Sequence, residues 1–292
     1  MKNVLRFSAA GCLLCAALQL WAQEPSGPPP VLRVIREDVK EGKEAAHEKT
    51  ENAVMQAAAR LNYPTAVLGM IAATGTSQAW FLEGYSSFAK LAETNRFFES
   101  HPEMGALDVA DAENRTSSRA IMAVLRPEMS YATDKANLVK ARYFNIITIR
   151  IRGGQEQEFT ELAKMMVNAA AKSGNEQPVA TYQAVSGAPN GTFFLMEPME
   201  SLASMDGAAQ RSQALNQALG DTGLKRLAKA GAETIANEES ILFAINPQMS
   251  YPPKAWVTQD PGFWGPKPTE KTVTKAPKKP ASKAAGEKSA AK

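Results

Sequence analysis

Sliding this chain against itself by 112 positions lays "DVKEGKEAAHEKTENAVMQAAARLN", from Asp38, over "RIRGGQEQEFTELAKMMVNAAAKSG", from Arg150. Gly42 then coincides with Gly154, and "VMQAAAR" lies over "MVNAAAK". Further along, "AWFLE" (79–83) meets "TFFLM" (192–196), and the two halves close on nearly the same phrase, Pro-Glu-Met-Ser-Tyr at 127–131 and Pro-Gln-Met-Ser-Tyr at 247–251. A chain that repeats itself at this period is constrained to an architecture that uses one unit twice. The offset grows to 120 by the closing phrase, so the second half carries extra residues, which "LGDTGLKRLAKAGAETIANEES" accommodates.

Each half has the same element order. "VLRVIREDV" and "YFNIITIRI" are rich in β-formers. A helix follows each, with Phe159, Leu162, Ala163, Met166 and Ala170 at helical spacing in the second copy. "TAVLGMIAA" with "QAWFL", and "VATYQAV" with "TFFLM", read as hairpins, the second around the turn signal Asn190-Gly191. A second helical stretch and a last strand, "RAIMAVL" or "SILFAI", complete the unit. The order β-α-β-β-α-β is that of a ferredoxin-like unit, an antiparallel sheet with helices on one face. Two such units hide their bare faces by packing sheet to sheet, so the expected fold is α+β, a pseudo-dimeric α/β barrel.

Outside the repeat, residues 1–22 read as a secretory signal peptide: Lys2 and Arg6, an apolar run to Trp21, then Ala22 before Gln23. Cleavage there removes Cys12 and Cys15 and leaves a mature chain without disulfide or thiol chemistry. A secreted or periplasmic protein is expected, with no membrane span. A Pro-rich spacer (23–30), the two units (31–131 and 143–251), a linker (132–142) and a tail (252–292) follow. From Pro266 onward eight lysines face Glu270 and Glu287, a net +6, whereas residues 23–265 sum to about −5. The body is therefore unsuited to nucleic acid. The tail has too little apolar surface to fold, and its charge suits contact with anionic envelope surfaces or plain solubilisation.

The Gly-containing turns into Glu-rich helices ("EGKEAAHEK", "GGQEQEF") and the run "AWFLEGYSSFAKLAE" resemble the dimeric α/β-barrel superfamily, its NIPSNAP-like and antibiotic-biosynthesis-monooxygenase-like members above all. The resemblance spans residues 31–251 in two copies, a fused counterpart of the family's dimer, so a monomer with an internal pseudo-dimer, or a higher oligomer of it, is expected. It implies a fold shared by cofactor-free oxygenases, haem-degrading enzymes and small-ligand binders rather than one activity. In haem-binding relatives a histidine of the second helical region ligates iron; His101 is the one histidine placed there, without an identifiable supporting pocket.

Candidate chemistry is sparse. His47 falls where the second copy has Phe159, and Thr50 and Glu51 where it has Leu162 and Ala163. At i and i+4 of one helix, His47 and Glu51 are the best candidates for catalytic groups, as a proton-transfer pair or two metal ligands; the plainer alternative is a histidine satisfied by Glu51 at a wet edge. Arg36, Trp80, Arg150, Tyr182 and Phe194 are the candidate ligand-binding residues, an aromatic and cationic set suited to a flat or anionic organic molecule if the barrel encloses a cavity. With no thiol site, no His-Glu-x-x-His and no phosphate loop, neither a metal nor a cofactor is expected. The leading expectation is a small-organic-ligand-binding protein; a cofactor-independent monooxygenase using His47, Trp80 or Tyr182, and an envelope module tethered by its tail, are the alternatives.

Overall fold

The computed structural model describes residues 27–265. The expected signal segment and the tail beyond 265 lie outside the described residues. Eight strands form one closed antiparallel barrel: β1 (Val31–Val39), β2 (Val67–Ala72), β3 (Gln78–Tyr85), β4 (Arg115–Leu125), β5 (Tyr143–Ile151), β6 (Ala180–Ser186), β7 (Thr192–Met199) and β8 (Ile235–Ile245). Around the ring they run β1-β3-β2-β8-β5-β7-β6-β4. Helix α1 (Glu44–Leu61) follows β1, and α4 (Glu156–Ser173) follows β5, each of 18 residues and each entered through a left-handed glycine, Gly42 at φ +77° and Gly154 at φ +82°. The coincident glycines of the sequence are thus turn residues that a side chain would strain.

The connection from β3 to β4 holds two helices, α2 (Phe88–Ser100) and α3 (Pro102–Asp111), split by Pro102. The corresponding connection in the second half is α5 (Ala208–Thr234), kinked at Gly220, and this longer helix absorbs the extra residues.

Strand parity divides the molecule. Leu32, Val34, Trp80, Leu82, Phe144, Ile146, Phe194, Met196, Ile241 and Phe243 point into the barrel and pack as one buried cluster. Residues of opposite parity, such as Ile149, Ile151 and Phe193, face the helices. At mid-barrel Trp80 meets Phe194 edge-on at 5.9 Å and Phe243 at 5.0 Å between ring centroids. The aromatic-lined central cavity expected from the sequence is therefore a packed core, because these large rings occupy the space between the two inner faces.

The duplicated phrase turns out to join the halves. After β8, Pro247–Met249 form a 3-10 turn that brings Ser250 and Tyr251 alongside β2: the Gly69 amide donates to Ser250 Oγ (2.9 Å), and Val67 and Tyr251 exchange two backbone bonds (2.8 and 2.9 Å). After β4, the turn at Pro127–Met129 repeats this against β6, with the Thr181 amide on Ser130 Oγ (3.0 Å) and Tyr131 paired with Val179. Met249 is buried among Met55, Ala58 and Phe81 of the first half, and Met129 among Ile149, Phe159 and Phe193 of the second. Instead of resting on the barrel rim, each methionine enters the helix–sheet core of the opposite half.

The boundary expected after Tyr251 is corrected as well. Residues 252–265 include two short helices, α6 (Lys254–Gln259) and α7 (Pro261–Trp264), and Trp264 joins the barrel core with its indole N–H on the Val139 carbonyl (2.9 Å). Arg142 stacks on Phe263 at 3.8 Å and pairs with Asp260. Three aromatics provide the apolar area that the lysine-rich stretch beyond lacks.

Candidate functional site

Two regions hold some of the candidate residues, on opposite faces of the sheet. The first is a polar cluster between the barrel and the helices of the first half. It forms where the end of β1 (Glu37), the first two turns of α1 (His47, Glu51), the last residue of α3 (Asp111) and the first residue of β4 (Arg115) meet. Glu37, His47, Glu51 and Asp111 are all buried, and each offers a ligand-type atom within 4.8 Å of the others.

The hydrogen bonds set each group's role. His47 Nδ1 lies 2.8 Å from Asp111 Oδ1; a carboxylate only accepts, so Nδ1 carries the proton and donates. Asp111 also accepts from the Thr50 hydroxyl, and from Arg115 at 3.2 Å. Arg115 bridges Glu37, Asp111 and Asp108, while the Ser118 hydroxyl donates to Glu37 Oε1 at 3.0 Å. Across the cluster His47 Nε2 faces Glu37 Oε2 at 3.5 Å, and neither atom has a hydrogen-bond partner among the described residues although both are buried. Glu51 makes no hydrogen bond among the described residues, so the simple His47–Glu51 pair expected from their spacing does not form; Asp111 holds the histidine instead.

The electrostatics follow from this crowding. Burial, then the carboxylates of Glu37 and Asp111, push the Glu51 carboxyl up to about 9. Burial also raises Glu37 against the pull of Arg115. For Asp111 burial is outweighed by the hydrogen bonds from His47 and Thr50, and its carboxyl is held below the usual range.

Glu51 therefore makes stability pH-dependent in metal-free solution. Its folded pKa exceeds the unfolded value of about 4.3, so the native state binds the extra proton between the two values. This contribution is complete below about pH 4 and is lost as pH rises through about 9. We expect the urea midpoint measured in chelator to fall between about pH 5 and pH 9, and the fall to be smaller in Glu51→Gln. Identical pH slopes in the two proteins would refute this assignment.

A neighbouring charged group shows what a purely structural cluster looks like here. Buried Glu83 accepts from Arg33, from Tyr63 (2.9 Å) and from Tyr85 (2.7 Å), so both its oxygens are satisfied. In strand register, one residue on from the sequence alignment of "AWFLE" with "TFFLM", the second half keeps a carboxylate at the matching place: Glu197, opposite Asn145 as Glu83 is opposite Arg33, is bonded to Asn145 at 2.9 Å. The His47 cluster has no such counterpart. In strand and helix register Glu37, His47, Glu51 and Arg115 correspond to Ile149, Phe159, Ala163 and Ile235, an apolar cluster.

The second region is a recess of about 960 Å³ at the proline-rich end of the barrel. Its floor is the end layer of the barrel interior (Leu32, Leu82, Phe144, Met196), and its walls include Tyr182, Ala136 and Trp256. Of the five predicted ligand-binding residues, Tyr182 alone lines it, with its hydroxyl donating to the Pro29 carbonyl (2.9 Å). Trp80 and Phe194 are mid-barrel core; Arg36 stacks on Trp80 at 4.4 Å and bonds Gln78; Arg150 is exposed at the opposite end. His101 stacks on Phe97 at the α2–α3 junction, with Nδ1 on the Phe97 carbonyl at 2.8 Å.

Glu37, Asp111 and Arg115 were missed by the sequence reading. The usable signal was Glu37, which takes the outward, helix-covered parity where the second copy has Ile149.

No protein-family model matches the chain, and no curated protein matches it. Among solved structures, a proposed monooxygenase of Fusobacterium nucleatum superposes with a TM-score of 0.50 at 11% identity, over 75% of this chain and 93% of that one. An anthrone oxidase-like protein gives 0.50 at 12%, over 74% and 92%. A proposed chlorite dismutase gives 0.48 at 12%, over 76% and 96%. At these identities the likeness is one of fold alone: a closed antiparallel barrel with helices packed on its outside. Among the described residues no helix is long and apolar enough to cross a membrane.

Proposed function

We propose that this chain is an exported α+β barrel, formed from two tandem ferredoxin-like units, that binds a small, largely apolar organic molecule in the recess at the proline-rich barrel end. The observation that carries the reading is that recess, about 960 Å³ with the apolar end layer of the barrel as its floor. Ligand pockets are typically ~300–1,000 Å³ and mainly apolar with a few polar groups. The site thus moves from mid-barrel, which is full, to the end. The signal-like first 22 residues support export, and the lysine-rich tail beyond residue 265 supports contact with anionic envelope surfaces. For the monooxygenase alternative, His47 on the helix-covered face and Trp80 and Tyr182 on the inner face do not share one site, which favours the binding reading.

An environment-sensitive anilinonaphthalene dye tests the recess. The native chain is expected to bind it with fluorescence enhancement and with transfer from Trp256. Ala136→Trp, which fills the space from the wall, is expected to weaken binding by about tenfold or more, the ~1–3 kcal/mol of a filled pocket, at unchanged melting temperature. Equal binding by both proteins would place the dye elsewhere and overturn the reading.

A further inference from the structure

We propose that the buried cluster of the first half is a metal centre, in which His47 Nε2 and the carboxylates of Glu37 and Glu51 bind a divalent transition-metal ion of the Zn²⁺ class while Asp111 positions the histidine. This goes beyond ligand binding at the barrel end and does not depend on it.

Two atoms point to the ion first. His47 Nε2 and Glu37 Oε2 are buried, have no hydrogen-bond partner among the described residues and face each other at 3.5 Å. Because Nδ1 carries the ring proton, a neutral ring presents a lone pair at Nε2, directed at a carboxylate oxygen. With the ring neutral and Glu37 ionised these are two acceptors, which without water repel each other and lose their solvation. A cation between them converts both into ligands. Donors at about 2.1 Å from a four-coordinate ion lie about 3.4 Å apart, so the observed spacing is already that of a shared coordination edge.

The supporting groups fit as well. Asp111 accepting from His47 Nδ1 at 2.8 Å is the carboxylate–histidine arrangement that fixes the tautomer and ring orientation of a metal-binding imidazole. Thr50 and Arg115 in turn hold Asp111, so the anchor is itself anchored. Glu51 projects from α1 one turn after His47 and supplies a further oxygen within 4.8 Å of the other donors. The carboxylates of Glu37 and Asp111 carry more negative charge than Arg115 between them balances, and a dication offsets it. One imidazole nitrogen with carboxylate oxygens favours Zn²⁺-like ions over the soft Cu(I) class, which prefers sulfur.

The second half removes the purely structural explanation. The same position in the same fold is filled there by Ile149, Phe159, Ala163 and Ile235. The architecture therefore does not need charge at this point, and a buried charged cluster replacing an apolar one is retained at a desolvation cost.

The second half also supplies the variant for the test. In Glu37→Ile/His47→Phe/Glu51→Ala the first half takes the residues of the second, and Arg115 keeps Asp108 and Asp111 as partners. The untagged chain, stripped with chelator and dialysed, would be titrated with Zn²⁺ by calorimetry and with Co²⁺ by visible absorption. The expected result is one equivalent bound by the native chain, with a Co²⁺ spectrum of low-coordinate nitrogen and oxygen ligation and a raised melting temperature. The triple variant, folded by circular dichroism, is expected to lose that equivalent. Asp111→Asn is expected to bind about 10–100-fold more weakly with the same stoichiometry, as loss of an outer-sphere partner does. No uptake by the native chain, or equal uptake by the triple variant, overturns the metal centre; an unchanged affinity in Asp111→Asn overturns the role given to Asp111.

Discussion

Gly69→Ala is expected to lower the melting temperature by roughly 10 °C, since a loss of about 3 kcal/mol or more shifts Tm by some 2–4 °C per kcal/mol in a domain of this size. A Cβ at Gly69 would lie 2.0 Å from the Met249 carbonyl oxygen and 2.7 Å from its carbonyl carbon. Both are backbone atoms, so no rotamer change relieves the contact. The β2–β8 seam is held by three registered pairs, Met70–Ile245 to Ala72–Phe243, against eight between β1 and β3. Bonds of Ala73 and Thr74 with Leu242 hold one end of the seam, and the turn after β8 holds the other through Gly69, Ser250, Val67 and Tyr251. Displacing that turn also withdraws Met249 from the helix–sheet core of the first half.

The opposite seam provides the control. The residue matching Gly69 is Thr181, whose side chain fits beside the turn and donates to the Met129 carbonyl at 2.7 Å. Thr181→Ala is expected to cost only about 1 kcal/mol, the worth of one hydrogen bond. Amide exchange at Val67 and Gly69 should accelerate in Gly69→Ala, while exchange in the β1–β4 ladder slows or speeds only with global stability. A Gly69→Ala protein that melts within a degree or two of the native chain would show that the turn is not the closure of this seam.

The seam explains why the closing phrase was only partly legible. Pro127 and Pro247 mark the ends of their strands, as a proline does, and the element order of each half follows from local periodicity. What Ser130, Ser250 and the two methionines do depends on residues of the other half, about 50 and about 180 positions away, and no local pattern encodes that pairing. The same distance hid most of the polar cluster. His47 and Glu51 stand out because a helix face changes character between the copies. Asp111 and Arg115 sit where the two halves differ in helical layout, and their charges read as solvated until α3 places them against α1. The barrel interior misled in the opposite way. Trp80, Tyr182 and Phe194 do share the inner face, but strand periodicity reports a face and not whether the opposing face leaves room.

The second large effect separates breaking the polar cluster from replacing it. Asp111→Ala removes the acceptor of His47, Thr50 and one Arg115 bond while leaving Arg115 and Glu37 buried. Breaking a buried charged network by deleting one member typically costs ~3–5 kcal/mol, because the remaining groups stay desolvated without partners. In chelator, Asp111→Ala is therefore expected to be destabilised by about that amount in urea unfolding. The triple variant Glu37→Ile/His47→Phe/Glu51→Ala removes more polar groups and is nevertheless expected to be neutral or about 1–4 kcal/mol more stable than the metal-free native chain, as well-packed apolar replacements of buried polar networks often are. The reason is specific to this fold: Ile149, Phe159 and Ala163 already fill the equivalent space. If the triple variant were as destabilised as Asp111→Ala, the cluster would be a structural necessity of the first half. If it gains stability, the polar groups at Glu37, His47 and Glu51 are kept at the expense of folding, which is what a site selected for binding requires.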